Sequence, residues 1–123
     1  MNNDRYARGL RRLAEVDGRA GQAVIDSLAD MAPDLGRYIV EFGFGDVYSR
    51  PGLDLRTREL ATIAALTAMG TARPQLAVHV AAALHVGCSK SEIVEVMIQM
   101  ALYAGFPASL NGIAVLRDVL DRD

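Results

Sequence analysis

The chain has a single cysteine, Cys88, among 123 residues. An intrachain disulfide needs two, so the fold must rest on packing alone, and the chain suits a reducing compartment. Histidine is also scarce. His79, His85 and Cys88 show no ligand spacing, and no metal site is expected. No stretch approaches the roughly 20 apolar residues of a membrane helix, and the opening MNNDRYARG contains no apolar signal core. A cytoplasmic setting without a membrane partner is therefore expected. Excess charge of one sign is missing as well. Thirteen Lys and Arg stand against fifteen Asp and Glu, a net charge of −2 with the signs mixed. That builds no concentrated positive field, so nucleic acid is not an expected partner. No convincing strand, repeat or low-complexity tract occurs, and with no strand there is no strand-plus-glycine-loop cradle for phosphate. What the chain does have is apolar residues, 51% of the total. That suffices for a core in one domain spanning 1–123.

The apolar residues recur at helical spacing almost throughout, so the expected fold class is all-α, with six or seven helices. Residues 4–16 read as an amphipathic helix stopped by Asp17-Gly18, and 20–30 read as a second. Pro33 suits the first turn of a third helix, whose end Gly43 and Gly45 loosen. Residues 49–53 form a turn by composition. Asp54 is a candidate N-cap for a helix reaching about Met69, with Gly70 ending it. Thr71 to Pro74 read as a connector to a helix from about Gln75 to Val86. Ser89 and Glu92 form a capping box, S-x-x-E, ahead of the apolar run of the next helix, which continues to about Ala104. Gly105 breaks that helix, and Pro107 starts a last one reaching Leu120. Residues 93–104 are apolar over much of the helix circumference. Such a helix must be covered on several sides, which in a small domain points to a subunit interface.

The chemistry concentrates between Arg56 and Ala108. His79 is the candidate general acid or base. Its plain alternative is a partly buried, hydrogen-bonded structural histidine. His85 lies near a helix end, where a cation suits the dipole. Glu59 sits in the first turns of its helix, where the dipole favours a carboxylate, and its plain alternative is a cap or an ion pair. Spacing does not pair Glu59 with His79. At 1.5 Å per residue Glu59 lies roughly 16 Å from the hairpin turn and His79 roughly 8 Å. A tight hairpin would set Thr67, not Glu59, level with His79. Cys88 precedes a helix N-terminus, a place that can lower a thiol pKa, but a small apolar filler describes it better.

Four phrases carry a family resemblance: FGFGDVYSRPGL at 42–53, RTRELATIAAL at 56–66, QLAVHVAAALHVGCSKSEIVEV at 75–96 and QMALYAGFPASLNG at 99–112. With them the chain resembles the carboxymuconolactone decarboxylase family of the alkylhydroperoxidase D-like superfamily. The resemblance implies an all-helical bundle of that type, assembled as a homo-oligomer, a trimer or hexamer. The alkylhydroperoxidase branch uses C-x-x-C followed by histidine. Aligned on His79, those cysteine positions hold Ala72 and Gln75, and Cys88 lies outside the motif. Decarboxylases of the family carry arginines around the histidine in a phrase like R-M-H-L-R, where this chain has Ala77 and Ala81. They also carry a small polar residue in the place of Glu59.

The implied reaction removes CO₂ from a small carboxylated, unsaturated lactone. Electrons flow through the conjugated double bond into the lactone carbonyl, so the substrate is its own electron sink and no cofactor is required. The protein must hold the carboxylate, stabilise the enolate and return a proton. The resemblance makes His79 the proton carrier and Glu59 its orienting or proton-sharing partner, with Arg56 and Tyr103 as substrate-binding candidates. The plain alternatives are an Arg56–Glu59 pair at i, i+3 and core packing for Tyr103. A thiol-independent redox relative and a non-catalytic ligand-binding helical oligomer remain the other readings of the chain.

Overall fold

The computed structural model describes residues 3–122, so the first two residues of the MNNDRYARG phrase and Asp123 lie outside the described residues. All regular structure among the described residues is helical. The chain forms two compact units, one ending at Leu55 and the other starting at Arg56.

The first unit holds α1 (Asn3–Ser27), α2 (Pro33–Tyr38) and a wide-turn π-helical stretch (Ile39–Val47) that continues α2. The two N-terminal helices expected from the pattern are present and meet at a kink: Gly18 leaves helical geometry at φ 58°, ψ −137°, and the helix resumes at once. It ends at Ser27, not near Asp30. Pro33 does sit in the first turn of α2. Val40 and Phe44 of the π-helical stretch are buried, as are Leu13 and Val16 of α1. The backbones of α1 and the π-helical stretch nearly touch. A Cβ on Gly45 would come 2.6 Å from the Arg5 carbonyl oxygen, and one on Gly9 would collide with the Val40 carbonyl. Only glycine permits that approach. An ion pair closes the contact, with Arg5 giving its Nε and Nη2 hydrogens to Asp46 at 2.6–3.0 Å.

The second unit holds α3 (Leu55–Met69), α4 (Arg73–His85), α5 (Lys90–Ala104) and α6 (Phe106–Asp121). Its core gathers Ile63, Leu76, Val80, Ala83, Ile93, Met97, Val115, Leu116 and Val119 around the buried Cys88. Within this unit α6 packs along both α5 and α4. Two boundaries differ from the expected ones. α4 opens at Arg73, because Pro74 fits the first helical turn and does not extend the connector. α6 opens at Phe106 for the same reason at Pro107. The capping box is present in full: Ser89 Oγ accepts from the Glu92 N–H at 3.0 Å, and Glu92 Oε1 accepts from the Ser89 N–H at 2.8 Å. Gly87, between α4 and α5, has φ 104°, a conformation that L side chains avoid.

The buried face of α3 is Glu59, Ile63 and Thr67, spaced four residues apart. A carboxylate therefore stands in a stripe where the pattern alone leads one to expect only apolar and hydroxyl side chains. On α5, Ile93 and Met97 are buried, whereas Ile98, Leu102 and Tyr103 are exposed. Phe106 and Leu110 of α6 are exposed as well.

Candidate active site

Glu59 is fully buried, with 0% of its side chain exposed, and His79 retains 21%. Glu59 Oε1 lies 3.0 Å from His79 Nδ1. The pairing that simple hairpin spacing argued against is thus present. A tight antiparallel hairpin presumes parallel axes in close contact, yet α3 and α4 are not among the closely packed helix pairs of this unit. The two side chains bridge the gap. Burying a carboxylate is costly unless a partner compensates it, and the imidazole is such a partner. An ionised carboxylate can only accept, so the proton of this hydrogen bond then lies on Nδ1. Nε2, across the ring, is the second nitrogen able to carry or release a proton. A buried acid fixing the tautomer and direction of a partly exposed imidazole is an arrangement suited to proton transfer near neutral pH.

Arg56 lies one turn before Glu59, but the fork of its guanidinium is engaged elsewhere. Its Nη2 donates to both Glu92 carboxylate oxygens at 2.6 and 2.7 Å, and its Nε donates to the Gly87 carbonyl at 3.2 Å. Arg56 thus has a long-range partner that the i, i+3 alternative with Glu59 did not include. The Arg56 hydrogen bonds, followed by the Ser89 N–H, hold the Glu92 carboxyl below the usual carboxylate range. Sequence reasoning found Glu92 as a cap but missed it as the partner of Arg56, because a contact across 36 residues leaves no local spacing.

Tyr103 is 78% exposed, which corrects the alternative of core packing. It lines an open groove of about 640 Å³ with Val96, Ile98, Leu102 and Phe106, edged by Glu95 and Gln99. Neither Glu59 nor His79 lines that groove. Cys88 is 4% exposed within the core, and its thiol donates to the Arg56 carbonyl at 3.5 Å. His85 is exposed in the last turn of α4. Among the described residues no group of three or more His, Cys, Asp or Glu could hold a metal ion. No described helix is long and apolar enough to cross a membrane.

Residues 33–118 match the model of the carboxymuconolactone decarboxylase family. The chain belongs to this family. The 4-carboxymuconolactone decarboxylase of Acinetobacter baylyi is 40% identical over 111 residues, covering 89% of this chain and 82% of that protein. An uncharacterized 15.0 kDa protein of Paracoccus denitrificans is 36% identical over 94 residues, covering 76% of this chain and 70% of its own length. A nitrosuccinic acid decarboxylase of Metarhizium robertsii is 31% identical over 88 residues, covering 68% of this chain and 61% of that protein. The family match takes in Arg56, Glu59, His79, Glu92 and Tyr103.

Proposed function

We propose that this chain is a carboxy-lyase that needs no cofactor and acts on a small carboxylated lactone or related acid, with His79 as proton carrier and Glu59 as its orienting partner. The observation that carries this reading is the 3.0 Å contact between buried Glu59 Oε1 and partly exposed His79 Nδ1. The names of two relatives, one acting on 4-carboxymuconolactone and one on nitrosuccinic acid, support the reaction class. Those two acids differ in shape, but each can place the electron pair left by CO₂ on an electronegative oxygen, of a lactone carbonyl or a nitro group. The substrate class proposed here is defined by that property.

In the reaction the bond between the substrate carbon and its carboxylate carbon breaks. The electron pair moves into the conjugated system, giving an enolate, and neutral CO₂ departs. His79, protonated at Nε2, returns a proton to carbon and is reprotonated from water. Glu59 holds Nδ1–H throughout, so the ring changes charge without turning. The buried position of Cys88 gives no support to thiol redox chemistry.

We further propose that the protein works as a homo-oligomer, a trimer or hexamer. The exposed Ile98, Leu102, Tyr103 and Phe106 make an apolar face of a kind that a second copy covers. Tyr103 is then a substrate-binding candidate in the assembled protein, its hydroxyl serving a carboxylate or carbonyl oxygen. The deciding experiment is a CO₂-release assay of the parent and the His79→Gln variant on carboxylated butenolides and on α-nitro acids. Turnover by the parent on neither class, with the protein folded, removes the lyase reading.

A further inference from the structure

We propose that Arg56 is a positioning residue for the acid–base pair, tying the N-terminal turn of α3 to the α4–α5 connection and so setting how Glu59 meets His79. The proposal rests on the reading of His79 as proton carrier.

The contacts of Arg56 converge on the stretch from Gly87 to Glu92. Its Nε donates to Gly87 O, its backbone carbonyl accepts from Cys88 Sγ, and its Nη2 donates to Glu92, whose Oε1 also accepts from Ser89 N. The guanidinium therefore joins the link at Gly87 to the first turn of α5 at Glu92. Its placement is electrostatically apt. The cation stands at the carbonyl end of α4, and the Glu92 carboxylate stands in the first turn of α5.

On α3, Glu59 follows Arg56 by one turn and shares its side of the helix. On α4, His79 precedes Gly87 by about two turns. Clamp and acid–base pair are thus two rungs between the same two stretches of chain. Backbone packing adds little there, since the close helix pairs of this unit are α5 with α6 and α4 with α6. Removing the outer rung takes away one of the ties between the N-terminal end of α3 and the α4–α5 connection. An imidazole whose partner drifts no longer aims its Nε2 steadily. By contrast, the clamp is a minor source of stability. The side chains of Arg56 and Glu92 are 43% and 41% exposed, and ion pairs so open to solvent contribute little to folding.

Arg56→Met, Arg56→Lys and Glu92→Gln test the proposal, read by kcat and KM for CO₂ release, by thermal melting, and by the NMR signal of the His79 Nδ1 proton. Misplacing a reacting group by about an ångström costs up to about 100-fold in rate. Arg56→Met should lower kcat by about 10- to 100-fold, leave KM and melting near the parent, and move or broaden the Nδ1 proton signal. Arg56→Lys should recover part of the loss, because a single ammonium can hold Glu92 but lacks the fork that also reaches Gly87 O. A raised KM with kcat kept would make Arg56 a substrate-binding residue and overturn the proposal. Early melting with parental kcat and an unchanged His79 signal would make it structural and overturn it equally. Should Arg56→Met fail to fold, Glu92→Gln decides by the same readouts. Should the parent release no CO₂ from any acid tried, the lyase reading fails by itself. The His79 signal then decides the clamp: movement in the variants supports it, and constancy overturns it.

Discussion

Glu59 Oε1 stands 3.0 Å from His79 Nδ1, across twenty residues of chain and the turn at Gly70. The acid belongs to the buried stripe of α3, with Ile63 and Thr67 as its neighbours one and two turns on. The carboxylate therefore belongs to the buried face of its helix. Were the site built for stability alone, an apolar residue of similar volume would serve as well or better. Retaining an acid beside an imidazole is reasonable where a proton has to move.

The apolar face on α5 and α6 leads to the first prediction. Leu102 and Phe106 are 78% and 76% exposed. Leu102→Asp would place a charge where an apolar partner surface has to dry, a change that costs association far more than folding. Light scattering should find a trimer or hexamer for the parent and smaller species for the variant. A monomer mass for the parent at micromolar concentration would end the oligomer proposal.

Acid should loosen the clamp at Glu92. The carboxyl of Glu92 is held below its usual range, chiefly by Arg56, and that of Asp46 in the first unit chiefly by Arg5. A carboxyl whose pKa is lower folded than unfolded adds stability above its unfolded value, and this stability is lost as pH falls through the folded value. The loss should therefore lie at and below the ordinary carboxylate range, leaving stability from these groups flat around neutrality. Denaturant titrations at a series of pH values should show it. Glu92→Gln should flatten part of the acid slope, and high salt should shrink the whole effect, because the pairs are partly exposed. An acid slope identical in Glu92→Gln and parent would remove Arg56–Glu92 from the account.

Thr67 offers an isosteric test. Its side chain is 1% exposed, and its hydroxyl has no hydrogen-bond partner among the described residues. Its γ-methyl and hydroxyl face Gly112 of α6 so closely that a Cβ there would come 3.0 Å from the methyl. Thr67→Val keeps the shape and removes the desolvated hydroxyl. Burying an unsatisfied polar group costs about 1–3 kcal/mol, so the variant should be more stable by about that order, with a melting point raised by a few degrees. A lower melting point would show that the hydroxyl is bonded in solution.

Much of the second unit can be read from the residues, for physical reasons that also explain what was missed. The capping box is visible because Ser89 and Glu92 complete each other within one turn. Helix ends are visible at Gly70, Gly87 and Gly105 because positive φ is cheap only for glycine. Pro74 was ambiguous, since proline both ends connectors and starts helices. Two site contacts are invisible in principle. The Glu59–His79 distance depends on how α3 and α4 are set in space. The pairing of Arg56 with Glu92 depends on where the α4–α5 link comes to rest. The buried face of α3 joins the acid to Ile63 and Thr67 at four-residue spacing. The exposure of Tyr103 sets aside only its plain alternative, since an aromatic in an apolar run also reads as core.

His79 separates an enzyme from a helical domain that merely contains a histidine. His79→Gln keeps polarity and approximate volume, and the amide N–H can still donate toward Glu59, but it cannot carry a proton. Groups that do so contribute about 10²–10⁴-fold to rate, so kcat should fall by that order with a smaller change in KM. The partial exposure of the ring means that the fold should tolerate the change. If His79 instead only satisfies the buried carboxylate of Glu59, the substitution should weaken folding by roughly 1–3 kcal/mol, and activity should follow only through unfolding. A thermal melt beside the CO₂-release assay distinguishes the two. A variant that melts like the parent and loses turnover supports proton transfer by His79. One that melts early yet turns over at the parental rate while folded removes His79 from the chemistry, and with it the role given to Glu59.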